Sequence, residues 1–386
     1  MNVKNHEEIK SFLKTKDSVD ERLLAFDTFL NEEAKDRIHG LGIKTSVKWV
    51  ELDELEFDNQ EDLAIKNEDV LVLKGKDVFS SELEGVDKVI EQINSIKGSE
   101  RIDYLHKAIS NLTLVYFKKD TSYGYVNIDK FLSNNSFNHT LFYFGKGCSV
   151  NLLYHITSKS TGFVGTEYLN ILCDEDSQVF FGFAKDLKSD CYLHNKNFNV
   201  VLDNATLNFL TADFGGRLIV DETITKLVGV NSVGNTDNLF YGTNSEEFDV
   251  SGSSIHANKQ TSSLLTLKGV LEDSRALTRG LVKIEDNAPD SNGYQKSDIL
   301  LLDDKSKAVS IPDLLIHNDQ VKCSHGSTIS HLEEDKIFYL QSRGLGKQEA
   351  MRKLVEGFYY PVLEKVPSEE IKEKFVEKIQ RRIYVQ

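Results

Sequence analysis

The sequence has few cysteines and few prolines, and long runs of apolar residues are missing. Its 386 residues include four cysteines, four prolines and one tryptophan. The cysteines are Cys148, Cys173, Cys191 and Cys323, and none of them belongs to a Cys-x-x-Cys pair. This spacing excludes a zinc ribbon and a thioredoxin-like motif.

No apolar run approaches the ~20 residues that a helix needs to cross a bilayer. The first residues, MNVKNHEEIKSF, are charged and unlike a secretory signal. We therefore expect a soluble, cytoplasmic protein without a membrane partner. The net charge of −15 argues against a nucleic-acid partner, since such partners are bound by neutralising phosphates with Lys and Arg. The negative charge also has a simpler explanation, since an acidic surface is common in proteins that are exposed to water.

Phosphate-binding and hydrolase motifs are also missing. The sequence contains no Walker A motif, no Gly-x-Gly-x-x-Gly, no His-Glu-x-x-His and no Gly-x-Ser-x-Gly elbow. Nucleotide hydrolysis and dinucleotide binding through a standard phosphate loop are therefore not expected. Metal and sulfur chemistry remain, and we predict a protein that is not an enzyme.

The chain divides into three parts by hydrophobic pattern. Helical patterns run over 3–40, 79–96 and 100–110, and they return after Leu332. The acidic run 333–335 predicts the start of one such helix. In a later one, Ile371, Phe375 and Ile379 form a predicted apolar face. Between them, short β-rich runs recur at intervals of about 8 to 12 residues, punctuated by Asn, Asp and Gly. No long helix is predicted for roughly 200 residues, which excludes a βαβ fold and leaves a sandwich, a barrel or a β-solenoid.

One short segment carries candidate chemistry. Val321–Thr328 reads VKCSHGST, with a thiol at Cys323 and an imidazole at His325. On an extended strand both side chains share one face, whereas Lys322 points to the other. The simpler interpretation is a buried cysteine beside a structural histidine. His317 and His331 lie nearby and are expected to be exposed or structural.

Residues 311–358 resemble the C-terminal signature of the SufB/SufD family, whose members are scaffold subunits of the SUF iron–sulfur cluster assembly complex. The resemblance rests on the Pro-x-Leu, Val-Lys-Cys-Ser-His-Gly and Phe-Tyr-Leu-Gln-Ser-Arg-Gly pieces, which stand in the family's order. Cys323 and the glycine after His325 are similar to the SufD branch, since the SufB pattern has a Glu there. A second segment, 251–284, also resembles the family; we interpret its His256 as a hydrogen-bonding histidine and its Gly280 as a tight corner.

The resemblance implies a right-handed parallel β-helix with helical flanks. We predict an N-terminal α-rich domain at 1–110, a β-helix core at 111–330 and a C-terminal helical domain at 331–386. At ~20 to 25 residues per coil, the core would hold roughly nine coils. Each end of such a rod exposes unpaired backbone groups. The flanking helices could cap the ends, or the end near Cys323 could pair with a partner rod.

The resemblance also implies a function. The chain would be a non-catalytic scaffold subunit that pairs with a SufB-like subunit and docks a SufC-like ABC-type ATPase, and it could form a homodimer when alone. A stable cluster usually takes four thiolates, so any cluster would be transient and shared with the partner. His325 ranks first as its ligand and Cys323 second. The residues that we predict to bind the ATPase are Arg343, Gly344, Gly357 and Phe358.

Two other functions stay open from the sequence. A β-solenoid enzyme acting on carbohydrate would use clustered carboxylates on one face of the rod, and Asp203, Asp213 and Asp221 are possible members. A stand-alone metal-binding protein is the second alternative. It would assemble a stable iron site without any partner.

Overall fold

The computed structural model describes residues 2–33, 35–39, 43–47, 50–56, 62–65, 67, 69–93, 100–132, 135–188 and 190–384, and every structural statement below refers to these residues. The fold is mainly β, with helices on either side in sequence, as predicted. The elements before the rod are α1 (His6–Leu13), α2 (Val19–Asn31), β1 (Arg37–His39), β2 (Ile43–Thr45), a short 3-10 helix (Leu52–Glu54), β3 (Asp62–Ile65), β4 (Leu71–Lys74), α3 (Lys76–Phe79), α4 (Val86–Ile93) and α5 (Arg101–Ile109).

Two parallel sheets form the rod, and the chain alternates between them. The strands of the rod are β5 (Asn111–Phe117), β6 (Ser122–Leu132), β7 (Ser136–Phe144), β8 (Ser149–Ser158), β9 (Val164–Cys173), β10 (Gln178–Leu187), β11 (Tyr192–Val201), β12 (Thr206–Gly215), β13 (Leu218–Leu227), β14 (Val233–Gly242), β15 (Glu247–His256), β16 (Ser262–Leu271), β17 (Arg275–Ile284), β18 (Asn292–Leu301), β19 (Lys307–Ile316) and β20 (Lys322–His331). The even sheet, named for the rod strands that it contains, has the order β20-β18-β16-β14-β12-β10-β8-β6-β3. The odd sheet, named in the same way, has the order β19-β17-β15-β13-β11-β9-β7-β5-β4.

This architecture is a parallel β-solenoid of eight coils, each contributing one strand to each sheet. The solenoid is confirmed, but the predicted coil length is wrong. Tyr192 pairs with Leu218 and Arg275 with Lys307, so a coil takes 26 to 32 residues. Most strands are ten residues long, which leaves room for fewer coils than the nine expected. Eight strands at ~4.8 Å spacing span on the order of 35 Å.

The interior of the rod is filled by every second residue of each strand. One half of it is rich in stacked phenylalanines. Phe142 and Phe181 cross edge to face with 4.8 Å between ring centroids, and Phe117 stacks on Phe144 at the same distance. All four rings are fully buried. Burying each contributes about 1.5 to 3 kcal/mol, so this end of the rod is held mainly by hydrophobic packing.

The corners between the sheets depend on Asn and Asp in the left-handed region. Asp176, Asn204, Asn231 and Asp290 all have φ between 56° and 59°. These residue types tolerate that conformation because their short polar side chains form local hydrogen bonds. The Asn231 amide donates to Asn204 Oδ1, and the Asn204 amide donates to Asp176 Oδ1, both at 3.2 Å. Side-chain ladders therefore connect successive coils.

The two ends of the rod differ, and strands rather than helices cover the N-terminal one. At the N-terminal end, β3 pairs antiparallel with β6 and β4 pairs antiparallel with β5. A strand can satisfy the free backbone groups of a sheet edge, which a helix cannot do. At the other end β19 and β20 are the last strands of their sheets.

The helices instead cover the outer faces of the rod. Three C-terminal helices, α6 (Glu334–Ser342), α7 (Lys347–Leu363) and α8 (Glu369–Tyr384), follow β20. The predicted apolar face of α8, formed by Ile371, Phe375 and Ile379, is buried against outward-facing residues of the even sheet. α1, α2 and α5 bury their apolar faces in a cluster with outward-facing residues of the odd sheet, such as Tyr192 and Leu218.

Some local predictions were wrong. The helical pattern predicted to reach residue 40 ends at Asn31, and a β hairpin begins at Arg37. The segment 79–96 is interrupted after Phe79 and resumes at Val86, while 94–96 lie outside the described residues. Gly280 lies inside β17 and not at a corner; a Cβ there would come within 2.1 Å of Gln295 Oε1, so the glycine allows a close approach inside the rod. None of the described helices is long and apolar enough to cross a membrane.

Candidate functional site

The candidate site is the open end of the rod, formed by β19 and β20. In the described part of the chain, β20 pairs with β18 alone and β19 with β17 alone. The other edge of each strand therefore presents unpaired backbone N–H and C=O groups, which can extend the sheet by pairing with another chain. The last coil is also more exposed than those below it.

Cys323 and His325 lie on the face of β20 that continues the interior of the rod. Cys323 pairs in register with Gly293, and His325 pairs with Gln295. Gly293 and Gln295 are both buried inside the preceding coil. Because parallel strands in register align their side chains, the thiol and the imidazole follow the same two columns outward. The predicted shared face is therefore present, at the mouth of the rod.

The two side chains differ in exposure. Cys323 is half-buried and packs beside Val282, Ile284 and Ala288, whereas His325 is exposed. Partial burial raises the pKa of the Cys323 thiol, which favours the protonated form. Lys322 lies on the opposite face of the strand, so a neighbouring cation or metal would be needed to stabilise the thiolate.

An apolar rim borders this pair. Ile316 at the end of β19 is 43% exposed, and Ile329 on β20 is 42% exposed. Leu315 is similarly exposed. Gly326 leaves the middle of β20 uncrowded, since a Cβ there would lie 3.5 Å from the Tyr294 hydroxyl. His317 and His331 are also exposed, as predicted.

The remaining cysteines are interior residues. Cys148, Cys173 and Cys191 are fully buried in the main apolar cluster of the rod. Burial raises the pKa of the Cys148 thiol to about 12 and that of Cys173 well above its ordinary value. These thiols are protonated at neutral pH, and none of them lies at the open end.

His256 is a hydrogen-bonding histidine inside the rod, in agreement with its predicted role. Its Nδ1 lies 2.7 Å from Thr261 Oγ1 and its Nε2 lies 2.8 Å from Ser263 Oγ. Burial lowers the pKa of His256 to about 4, so the ring is neutral. A Cβ on Gly293 would lie 3.2 Å from His256 Nε2 and 3.6 Å from Cys323 Sγ. The absence of a side chain at Gly293 therefore leaves room for both His256 and Cys323 beside β18.

The four residues named for the ATPase lie in two places. Arg343 and Gly344 follow the last residue of α6 and are exposed, and the Arg343 guanidinium lies 5.3 Å from the centroid of the Tyr339 ring. Gly357 is exposed on α7. Phe358 is half-buried against the apolar cluster between the C-terminal helices and the even sheet, and the Lys268 ammonium lies 4.0 Å from the centroid of its ring.

A second cluster of possible metal ligands was not found from the sequence. Glu100, His194 and Glu222 each place a ligand atom within 4.8 Å of the others. The Arg37 guanidinium forms ion pairs with both glutamates and with Asp249, at 3.1 Å from the Asp249 carboxylate. The cluster thus holds its own cation and attaches the β1–β2 hairpin to the odd sheet. These residues are spread over 213 positions (37 to 249), which explains why no local motif marks them.

The carboxylates considered for a carbohydrate-active site do not share an outer face. Asp213 and Asp221 are fully buried inside the rod beside Lys185, whose ammonium lies 2.9 Å from Asp213 Oδ1. Asp203 is exposed at a corner, where it accepts a hydrogen bond from the Val230 backbone amide at 2.7 Å. A polysaccharide on the rod surface could not reach the buried pair.

Comparison with known proteins identifies the family. The sequence profile described as "SUF system FeS cluster assembly, SufBD core domain" matches residues 127–358, which is more than half of the chain. The matched region runs from β6 to α7 and includes the open end of the rod.

Curated relatives agree with this match. The chain is 31% identical over 165 residues to the iron–sulfur cluster assembly protein SufD of Bacillus subtilis, covering 42% of this chain and 38% of the relative. It is 25% identical over 236 residues to SufBD family proteins of Staphylococcus saprophyticus and Staphylococcus aureus, covering 60% of this chain and 51% of each relative. The chain thus aligns with about half or less of the length of these relatives. It belongs to the SufB/SufD family of the SUF iron–sulfur cluster assembly system.

Proposed function

We propose that this chain is a non-catalytic scaffold subunit of a SUF-type iron–sulfur cluster assembly complex. Its open end would pair with the rod of a SufB-like subunit, and the nascent cluster, which is the cargo, would be held at that junction. The observation that carries the proposal is the exposed last coil, where unpaired strand edges, an apolar rim and the Cys323–His325 pair occur together.

The pairing step follows from the physics of strand edges. β19 and β20 offer backbone groups that an incoming strand could satisfy, and Leu315, Ile316 and Ile329 offer apolar surface to bury. A long, exposed and partly apolar edge favours association with another chain. The same surface would serve a homodimer when no partner is present.

The cluster ligands would come from both chains. His325 is exposed and its imidazole can coordinate iron, so it ranks first. Cys323 ranks second because its thiol is half-buried with a raised pKa, and metal binding requires the thiolate. One thiol and one imidazole are fewer donors than the four that a cluster usually takes, so the partner would supply the rest.

The C-terminal helices would dock a SufC-like ATPase. α8 and the second half of α7 bury their apolar faces on the even sheet, while Arg343, Gly344 and Gly357 remain exposed. Because these helices are fixed to the rod, a force applied to them by an ATPase would be transmitted to the rod. We propose that ATP-driven movement of this kind opens the junction between the two rods.

Cluster loading of the reconstituted complex tests the ligand assignment. The chain is combined with SufB-like and SufC-like subunits under anaerobic conditions, and bound iron and sulfide are measured for the wild type and for His325→Ala. We expect cluster loading to fall several-fold for His325→Ala. His317→Ala is the matched control, since His317 is exposed in the turn between β19 and β20, and it should load like the wild type.

Two outcomes separate the parts of the proposal. Unchanged loading in His325→Ala, with the complex intact, would remove His325 from the site and leave the scaffold role standing. A stable cluster on the isolated chain after iron and sulfide addition would instead favour the stand-alone metal-binding protein.

A further inference from the structure

A half-buried histidine lies between the outer face of the even sheet and α8. His155 on β8 stands beside Asp129 on β6 in register, and its Nδ1 lies 3.1 Å from Asp129 Oδ1. Its Nε2 has two neighbours, the Lys378 ammonium of α8 at 2.8 Å and Thr157 Oγ1 at 2.9 Å. The side chains of His155 and Lys378 are both half-buried. One ring nitrogen therefore faces two partners, of which only one belongs to α8.

The two partners of His155 Nε2 suit different charge states of the ring. The Asp129 carboxylate accepts a hydrogen bond, so Nδ1 carries a proton in both states. In the neutral ring Nε2 is an acceptor, and the Lys378 ammonium, which can only donate, is its matching partner. In the protonated ring Nε2 is a donor, which the ammonium cannot accept and which the like charge repels. The Thr157 hydroxyl can accept this bond, so only the neutral ring holds α8.

Charged groups from three elements surround this contact. Asp129 belongs to β6, Asp186 to β10, and Lys378 and Arg381 to α8. The Lys378 ammonium lies 3.3 Å from Asp186 Oδ2, and the Arg381 guanidinium lies 3.6 Å from the same oxygen. Burial lowers the pKa of His155, the Lys378 ammonium adds to this effect, and the carboxylates of Asp129 and Asp186 oppose it. The ring is therefore neutral at pH 7.

The direction of the pH dependence follows from the lowered pKa of His155. In the unfolded chain the pKa of a histidine is about 6.5, so below that pH the unfolded chain binds the proton more readily than the folded one. The contribution of the neutral ring to the free energy of unfolding is therefore fully present above about pH 6.5. It is lost as the pH falls through the lowered pKa of the folded state.

We propose that His155 is a pH-dependent switch for α8. The neutral ring holds Lys378, whereas the protonated ring turns its Nε2 proton to Thr157 and leaves Lys378 to Asp186 alone. Phe375 and Ile379 remain buried against the even sheet, so protonation loosens the helix around Lys378 and does not detach it. This inference does not depend on the proposed function, although α8 is one of the helices proposed to dock an ATPase.

Hydrogen exchange of the full chain at several pH values from 4.5 to 7.5, corrected for the intrinsic exchange rate, tests the switch. We expect the part of α8 around Lys378 to exchange several-fold faster at the acidic end. In His155→Gln an amide oxygen can still accept from Lys378 and does not titrate, so this difference should disappear. His317→Gln, in an exposed turn, is the matched control and should respond like the wild type. A wild-type helix without the response, or a response retained in His155→Gln, would overturn the proposal.

An NMR titration of the His155 ring tests the two partners separately. Lys378→Met removes the ammonium, so the pKa of His155 should rise. Thr157→Val keeps the branched shape but removes the acceptor of the protonated ring, so the pKa should fall. Opposite shifts distinguish the switch from a general loss of packing, which would expose the ring and raise the pKa in both variants. A pKa that moves upward in both variants, or in neither, would contradict the proposal.

Discussion

Gly293 shows how a single missing side chain shapes the open end. A Cβ at this position would lie 2.6 Å from Val282 Cγ1 and close to His256 and Cys323. Overpacking of this kind costs about 1 to 3 kcal/mol. We therefore expect Gly293→Ala to lower the free energy of unfolding by about that amount, as measured by chemical denaturation.

Gly326→Ala is the matched control on the adjacent strand. Its Cβ would meet the Tyr294 hydroxyl at 3.5 Å, an ordinary contact, and its backbone does not need a positive φ. The free energy of unfolding should stay within about 0.5 kcal/mol of the wild type. If both variants lost the same free energy of unfolding, the space around Gly293 would not be too small for a Cβ atom.

Asp213 gives the rod a dependence on pH. Burial raises the pKa of Asp213 to about 7, and the nearby Asp221 carboxylate adds to the effect while the Lys185 ammonium opposes it. In the unfolded chain the pKa of an aspartate is about 3.9, so between pH 4 and 7 the folded state binds the extra proton. The contribution of Asp213 to the free energy of unfolding is therefore fully present below about pH 4, and it is lost as the pH rises to 7.

Asp213→Asn should remove this dependence, because an amide does not titrate. We expect the free energy of unfolding of the variant to vary less between pH 5 and 8 than that of the wild type, by up to a few kcal/mol. Denaturation curves at several pH values measure the slope. Asp190→Asn, at an exposed corner where φ is 59°, should keep the slope of the wild type. A slope unchanged by Asp213→Asn would contradict the assignment.

At the level of elements, the C-terminal helices are fastened to the rod by a few buried rings. Phe375 on α8 is fully buried, and a Cβ on Gly182 would lie 3.0 Å from its ring. Because Gly182 on β10 has no side chain, the Phe375 ring can pack closely against this strand. We expect Phe375→Ala to cost about 3 to 5 kcal/mol in the free energy of unfolding and to speed hydrogen exchange in α8.

Phe338 on α6 is the control for this prediction. It is 72% exposed, so Phe338→Ala should leave both stability and hydrogen exchange in α8 unchanged. If Phe375→Ala behaved like Phe338→Ala, the packing of α8 would not hold the helix on the rod.

The elements that the sequence predicted well are those with a strong local pattern. The apolar stripe Ile371, Phe375 and Ile379 predicted α8, and the acidic start at 333–335 predicted α6. The β1–β2 hairpin was missed because its position depends on Arg37 meeting Asp249 and Glu222, which lie far away in sequence. The alternation of residues along a strand predicted that Cys323 and His325 share a face. It could not predict that Cys323 packs against Val282, because that contact depends on the register between coils.

The whole molecule is a rod with one closed end and one open end. The sequence alone left a sandwich, a barrel and a solenoid possible, because the interior of the rod mixes phenylalanines with asparagines and no repeat is visible. The coils are longer than predicted because most strands are ten residues long. The hydrophobic pattern of the sequence did not mark where these strands begin and end. The asymmetry of the ends follows from β3 and β4, two strands of four residues that cover one end.

The open end leads to a prediction about assembly. Ile329 faces the mouth of the rod and is 42% exposed, so a lysine there would place a charge in any junction formed through this end. We expect Ile329→Lys to weaken association with a SufB-like partner at least tenfold, which corresponds to about 1.4 kcal/mol. The free energy of unfolding should change little, because the side chain is not part of the interior.

Thr328→Lys carries the same charge on the other face of β20, which points away from the mouth. Binding of each variant to the partner is measured by titration calorimetry, and folding is checked by denaturation. If association uses the mouth of the rod, Ile329→Lys binds more weakly than Thr328→Lys. Equal affinities would mean that the partner binds elsewhere, and Cys323 and His325 would then have no junction in which to meet a cluster.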